Sequence, residues 1–207
     1  MALPDLPPIL SFTLDDGTPV ALRPVLPSDR ERLAVGFEEL SEESRRFRFL
    51  GALTRLSPAQ LDYFTRIDHV HHVAWGALDL THPERPGFGV ARFVRLRDAP
   101  GVAEFSLTVL DTAQGHGLGS LLLAVLYVLA PTVGVRTLRG VVARENGKMT
   151  TWLRRLGAEV AEDESSELVF DLPVYTDLGR LPGTARAFRD HVEAVRRRLA
   201  EAGLVRS

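Results

Sequence analysis

Apolar and polar positions change period several times along the chain, and each change marks an element. Ile9 to Leu14 and Pro19 to Arg23 are strand-like runs on either side of Asp15-Asp16-Gly17-Thr18, a strong turn signal, so residues 9 to 24 read as a hairpin. Pro27-Ser28-Asp29-Arg30-Glu31 opens a helix, with Ser28 and Glu31 spaced as a capping box. A second helix begins near Ser41. A third begins at Ser57, with Pro58 in its first position and Gln60 completing another box. Val73 to Leu78 and Gly89 to Val94 follow as strands, joined by a loop from Thr81 to Gly87. From Val102 to Leu110 the side chains alternate between two faces. Ala103, Phe105, Leu107 and Val109 form an apolar face, and Glu104, Ser106 and Thr108 share the other.

After this strand comes Gln114-Gly115-His116-Gly117-Leu118-Gly119-Ser120, then an apolar helical run that Pro131 stops. Arg136 to Val142 reads as a strand, and Asn146 to Leu156 as a helix ended by Gly157. Two short strands near Glu159 and Glu167 close the pattern. The succession β-α-α-β-β-β-α-β-α-β places the chain in the α/β (α+β) class. Beyond it, Ala185, Phe188, Val192, Val195 and Leu199 recur at a 3-4 spacing and put one apolar stripe on a C-terminal helix.

A length of 207 residues suits one domain with an appendage, read here as a domain over 1–172 and an extension over 173–207. The formal net charge of -2 gives no sign of a nucleic-acid footprint. With no cysteine, disulfides and thiolate catalysis are excluded. Met1 to Asp5 lacks the features of a signal peptide, and Leu118 to Ala130 is too short to span a bilayer. The expectation is a cytoplasmic protein that does not engage a membrane. His69, His71 and His72 cluster before the strand at Val73, and read as a solvated or pocket-rim group rather than a metal site.

The glycine turn carries the chemistry. A glycine turn at a helix start leaves main-chain N–H groups unpaired and at the positive end of the helix dipole, a seat for phosphate. A P-loop would need a lysine after the last glycine, and Lys148 is the only lysine in the chain. A dinucleotide fingerprint would need glycine where Ser120 stands, and a carboxylate near Arg139. The pattern Q/R-x-x-G-x-G/A is matched in full by Gln114, Gly117 and Gly119.

That pattern is the acyl-coenzyme A loop of the GNAT N-acetyltransferases, and residues 18 to 171 resemble that family. The resemblance implies the GNAT fold: a mixed central sheet splayed in the middle, with helices on both faces, here followed by the C-terminal amphipathic helix. It implies acetyl-CoA as cosubstrate and no metal. Gly115, His116, Gly117, Leu118, Gly119 and Ser120, led by Gln114, would hold the diphosphate. The main chain of Val109 and Leu110 would pair with pantetheine. Glu145-Asn146-Gly147-Lys148-Met149 resembles the family's second cofactor segment, so Asn146 and Met149 join the site; Asn146 also reads as a helix N-cap. The tyrosine that many members carry seven residues after this asparagine is replaced by Leu153, and Ala158 replaces a usual phenylalanine.

Leu40-Ser41-x-Glu43-Ser44, Arg48-Phe49, Leu56-Ser57-Pro58 and Ala103-Glu104-Phe105 resemble the catalytic domain of bacterial Pat-type protein lysine acetyltransferases. There the matching glutamate is the proposed general base. The chemistry needs one, since a free lysine with a pKa near 10.4 is neutral only about once in a thousand at pH ~7.4, a cost of roughly 4 kcal/mol. An ion pair with Arg92 is the competing role for Glu104. Pat proteins usually join this domain to a cyclic-nucleotide or an acyl-CoA synthetase-like module, and these residues hold neither. The expected acceptor is a protein lysine, with a small-molecule amine as the main competitor and a non-catalytic acyl-CoA sensor as the alternative class. The apolar stripe of the last helix has three destinations: docking on its own domain, a homodimer contact, or a cover over the acceptor cleft.

Overall fold

The computed structural model describes residues 8–205, so the segment from Met1 to Asp5 lies outside the described residues. The hairpin forms from β1 (Leu10–Thr13) and β2 (Pro19–Pro24). Three helices follow: α1 (Arg30–Glu38), α2 (Glu42–Phe49) and α3 (Pro58–Thr65). Ser57 and Gln60 close the expected capping box at α3, and the Ser41 hydroxyl accepts from the Ser44 N–H at α2.

The start of α1 differs from expectation. Residues Pro27–Asp29 form a 3-10 turn, and Ser28 and Glu31 do not cap it. No side chain caps α1; the Asp29 carboxylate turns back, accepting from the Leu26 N–H at 2.8 Å and from two nitrogens of the Arg23 guanidinium at 2.7 and 2.5 Å. A charge-assisted, two-point pair outweighs a lone serine hydroxyl.

The remaining elements are β3 (His72–Asp79), β4 (Gly89–Arg95), β5 (Val102–Val109), α4 (Leu118–Leu129), β6 (Thr137–Ala143), α5 (Gly147–Leu156), β7 (Glu159–Asp163), β8 (Glu167–Pro173) and α6 (Arg186–Glu201). The strands form one sheet in the order β1-β2-β3-β4-β5-β6-β8-β7. Every neighbouring pair is antiparallel except β5 and β6.

That exception splays the sheet. The parallel ladder between β5 and β6 ends at the pair Glu104 and Arg139. Beyond it β5 stays with β4 as far as Val109, and β6 stays with β8 as far as Ala143, so a wedge opens between them. At its root the Phe105 ring lies on Gly140, where an added Cβ would come within 2.7 Å of a ring carbon. Glycine leaves the ring the space that a side chain at position 140 would fill.

The apolar face of β5 packs under α4, which is buried from Leu121 to Leu129. Its other face looks toward α1, α2 and α3. The stripe of α6 is buried in the same core as α4: Phe188, Val192, Val195 and Leu199 are all at most 2% exposed. The Phe188 ring meets Tyr127 edge-on at 5.4 Å. The Tyr127 hydroxyl donates to the Pro173 carbonyl and accepts from the Tyr175 N–H, fixing the approach to α6. The apolar stripe is therefore spent within the chain, which leaves it no surface for a second copy or for a cover over the acceptor side. Residues 173–205 share one core with the preceding elements rather than standing apart. Among the described residues no helix is long and apolar enough to cross a membrane.

Candidate active site

The glycine turn sits at the mouth of the wedge, between the end of β5 and the start of α4. Gly115 and Gly117 have φ of 88° and 86°, a left-handed backbone that costs other residues about 1–2 kcal/mol. Among the described residues the main-chain N–H groups from Gly115 to Ser120 have no protein partner; the first N–H used inward is that of Leu121, which donates to the Gly117 carbonyl. Six unpartnered amides thus lie at the positive end of a twelve-residue helix. Nothing lies within 4 Å of where a Gly115 Cβ would stand, so an anion can approach the main chain.

The outer side of the turn is braced. The Asp15 N–H at the hairpin tip donates to the His116 carbonyl at 3.2 Å, and the His116 ring stands 3.7 Å from the Asp16 carboxylate. His191 of α6 closes against Gly117 from below. The first hairpin and α6 therefore meet at this loop.

Strand alternation directs the main-chain groups of Leu107 and Val109 into the wedge. The Val109 carbonyl accepts from the Gln114 side-chain amide at 3.1 Å, which folds the turn back onto the strand end. Leu110 is placed differently from the sequence expectation. Its N–H donates to the Phe88 carbonyl and its carbonyl accepts from the Ala113 N–H, both at 2.8 Å, so its main chain is already committed.

On the opposite wall, Asn146 caps α5 by accepting from the Met149 N–H at 3.1 Å, and both residues are partly buried. Leu153, where a tyrosine acid would stand, is completely buried in the core. No proton donor reaches the wedge from that position.

Glu104 stands at the root of the wedge, exposed, on the face opposite α4. Among the described residues it makes no ion pair. The expected competitor, Arg92, instead donates through one nitrogen to the Phe64 carbonyl at 3.3 Å and to His72 Nε2 at 3.2 Å. Glu104 pairs in register with Arg139, whose guanidinium is held by Asp171 through two bonds of 2.8 Å. Its charge is felt by the guanidinium groups of Arg48 and Arg139, neither of which forms an ion pair with it.

The histidine group resolves into different roles. Asp68 accepts from the N–H groups of Val70, His71 and His72 and bends the chain into β3. His71 is exposed, but His72 is buried, contrary to the solvated reading, and stacks on Tyr63 at 5.1 Å. Burial first, then the Arg92 charge, push its imidazole down to about 4, so the neutral ring accepts from Arg92. Among the described residues no group of three or more His, Cys, Asp or Glu could hold a metal ion.

Two features escape the sequence. One is a cavity of about 80 Å³ between the helices α1 to α3 and strands β4 and β5, with Arg48, Phe49, Phe64, Arg92 and Thr108 in its wall. The other is the seat of α2. Its start is bound to Asp111 after β5, and its middle is bound to the loop before α5 by the Arg46–Glu145 ion pair, so α2 spans the two lips of the wedge. A charged residue in the apolar run Val90 to Val94 is the one signal that points to the cavity.

No family model matches the chain. It is 36% identical over 159 residues to acetyltransferase Pat of Mycolicibacterium smegmatis, an alignment covering 74% of this chain and 45% of that protein. The chain thus spans less than half the length of that relative. It is 33% identical over 162 residues to an acetyltransferase of Pseudomonas aeruginosa, covering 77% of this chain and 87% of the other. The crystal structure of the GNAT domain of S. lividans PAT superposes with a TM-score of 0.74 at 26% identity, over 80% of this chain and 96% of that one.

Proposed function

The chain belongs to the GNAT family of acetyltransferases, and from that premise we propose that it moves an acetyl group from acetyl-CoA to a primary amine, with Glu104 as general base. The observation that carries this reading is the set of six unpartnered amides from Gly115 to Ser120, opening on the same wedge whose root holds an unpaired carboxylate. The turn would seat the diphosphate, the main chain of Val109 would pair with pantetheine, and Asn146 and Met149 would line the other wall.

In that arrangement the amine nitrogen attacks the thioester carbon, a C–N bond forms and the C–S bond breaks. The proton lost by nitrogen goes to Glu104. With Leu153 buried, the departing thiolate takes its proton from water or from another group. The acceptor in this reading is a protein lysine, as the resemblance of the strand and helix motifs to Pat-type enzymes implies; a free small amine uses the same chemistry.

The buried Leu153 favours one second reading, an acyl-CoA-binding module without turnover. Calorimetry with acetyl-CoA, paired with a thiol-release assay over protein and small-amine acceptors, separates the two. Binding with acceptor-dependent release is expected. Binding without release on every acceptor would leave the sensor, and no binding would remove both.

A further inference from the structure

Arg48 on α2 and Arg92 on β4 bring two guanidinium groups to one cavity. Arg92 is only 4% exposed, its Nε has no hydrogen-bond partner, and its other contacts are a carbonyl and a neutral ring. Its guanidinium lies 4.4 Å over the Phe64 ring, and that of Arg48 stands 6.0 Å from the same ring. Neither takes part in an ion pair among the described residues. Burial lowers both: Arg92 to about 9, with the Arg48 charge adding to the effect, and Arg48 to about 10, against the attraction of Glu104; both stay charged at neutral pH. Two like charges in a partly dry space, with Glu104 acting on Arg48 only from beyond ion-pair distance, are costly unless something negative arrives.

Position says what arrives. Arg92 pairs in register with Ser106, and Glu104 lies two residues along the same face of β5. That spacing is roughly 7 Å. The hydroxyl of Thr108 completes the cavity wall on the far side. The diphosphate seat is built on α4, against the other face of the sheet.

We propose that Arg48 and Arg92 form a carboxylate seat for the acyl acceptor, so that the preferred amine carries a carboxylate roughly 5–8 Å from its nitrogen. This rests on the transfer reading given above. A guanidinium fork matches a carboxylate in plane and charge, and a cavity of about 80 Å³ admits that group with a short carbon stem. The carboxylate can belong to a free ω-amino acid or to an acidic residue beside a target lysine.

The test compares acceptors that differ only in charge: 6-aminohexanoate against its amide, and a lysine peptide with Glu against Gln beside the lysine. Thiol release from acetyl-CoA is followed with the full chain. The acid is expected to have a KM about ten- to a hundredfold lower than its amide in at least one pair, and the pair that shows it identifies the source. Arg92→Met and the more exposed Arg48→Met should each draw that ratio toward one while coenzyme A affinity is unchanged, and Arg92→Lys should recover part of it. Equal KM for acid and amide in both pairs overturns the proposal. So does a charge preference that appears in the donor, succinyl-CoA over propionyl-CoA, instead of the acceptor. Calorimetric binding of N-acetyl-6-aminohexanoate against its amide reads the seat without turnover. Arg-dependent binding of the acid with no thiol release would defeat the transfer reading and keep the seat; no difference in binding would defeat the seat alone.

Discussion

Asp111 holds Ser41 through two bonds: its carboxylate accepts the Ser41 N–H at 3.0 Å and the Ser41 hydroxyl at 2.9 Å, and takes the Ser44 hydroxyl at 2.8 Å as well. A residue at the end of the strand that feeds the glycine turn therefore serves as an external cap for α2. Burial pushes the Asp111 carboxyl up, but the bonds from Ser41 and Ser44 outweigh it, and the group lies below its usual range.

Asp111→Ala should release the start of α2 and cost about 1–2 kcal/mol. Amide exchange across residues 42–49 should quicken, with a raised KM for the acceptor because α2 carries Arg48. A depressed carboxylate contributes its stability above the ordinary value near 3.8 and loses it as pH falls through the lower folded value. Hydrogen exchange on the wild type should show α2 loosening only in that acid window. Unchanged exchange in the alanine variant would mean that the cap carries no energy.

Glu104→Gln tests the base. At neutral pH kcat/KM should fall by about 10²- to 10⁴-fold while acetyl-CoA affinity holds. The deficit should shrink as pH rises toward the acceptor's own pKa, since the amine then arrives neutral. A pH–rate profile of constant ratio would assign Glu104 a positioning part instead.

Gly117 is the N-cap of α4 and holds φ of 86°, and a Cβ there would meet the Asp15 carboxylate at 3.1 Å. Gly117→Ala should cost about 1–2 kcal/mol through the left-handed backbone. Coenzyme A affinity should drop about tenfold or more as the amide cradle distorts. Urea unfolding and calorimetry check the two separately; stability lost with affinity intact would remove this turn from the proposed diphosphate seat.

How far the sequence reaches depends on whether a signal is local. The turn, the alternation of β5 and the cap of α3 are each written within a few adjacent residues, and each forms as read. Arg92 reads in sequence as the partner of a neighbouring strand glutamate. Its true surroundings, Arg48, Phe64 and His72, come from α2, α3 and β3, and only folding brings them together. At the root of the wedge Phe105 meets Gly140 across 35 positions, a contact no local period encodes. At the start of α1 the sequence points to Ser28 and Glu31 as a box, and the pairing of Asp29 with Arg23 on β2, six residues back, is what forms instead.

His72 gives the fold an acid sensitivity. The unfolded ring has a pKa near 6.5, whereas burial and Arg92 hold the folded ring at about 4. Between these values the unfolded chain takes a proton that the folded chain refuses. Stability is thus fully present above about 6.5 and declines as pH drops toward about 4, by on the order of 2–3 kcal/mol. His72→Gln, which retains an acceptor for Arg92, should flatten this part of the curve in denaturant titrations at pH 7 and 4.5. An equal slope in the variant would place the sensitivity elsewhere.

Phe188→Ala tests whether α6 is structural. The ring is 2% exposed and rests edge-on against Tyr127, itself bonded at both sides of its hydroxyl to the segment that leads into α6. Removing it opens a void between α4 and α6, with an expected cost of about 3–5 kcal/mol. Because α4 also begins at the glycine turn, and His191 of α6 packs against Gly117, the loss should reach the site: coenzyme A affinity should fall with stability. A helix that merely hung on the domain would give a second, separate unfolding transition with affinity intact. A single cooperative transition at lower urea, with weakened binding, is the outcome of one shared core.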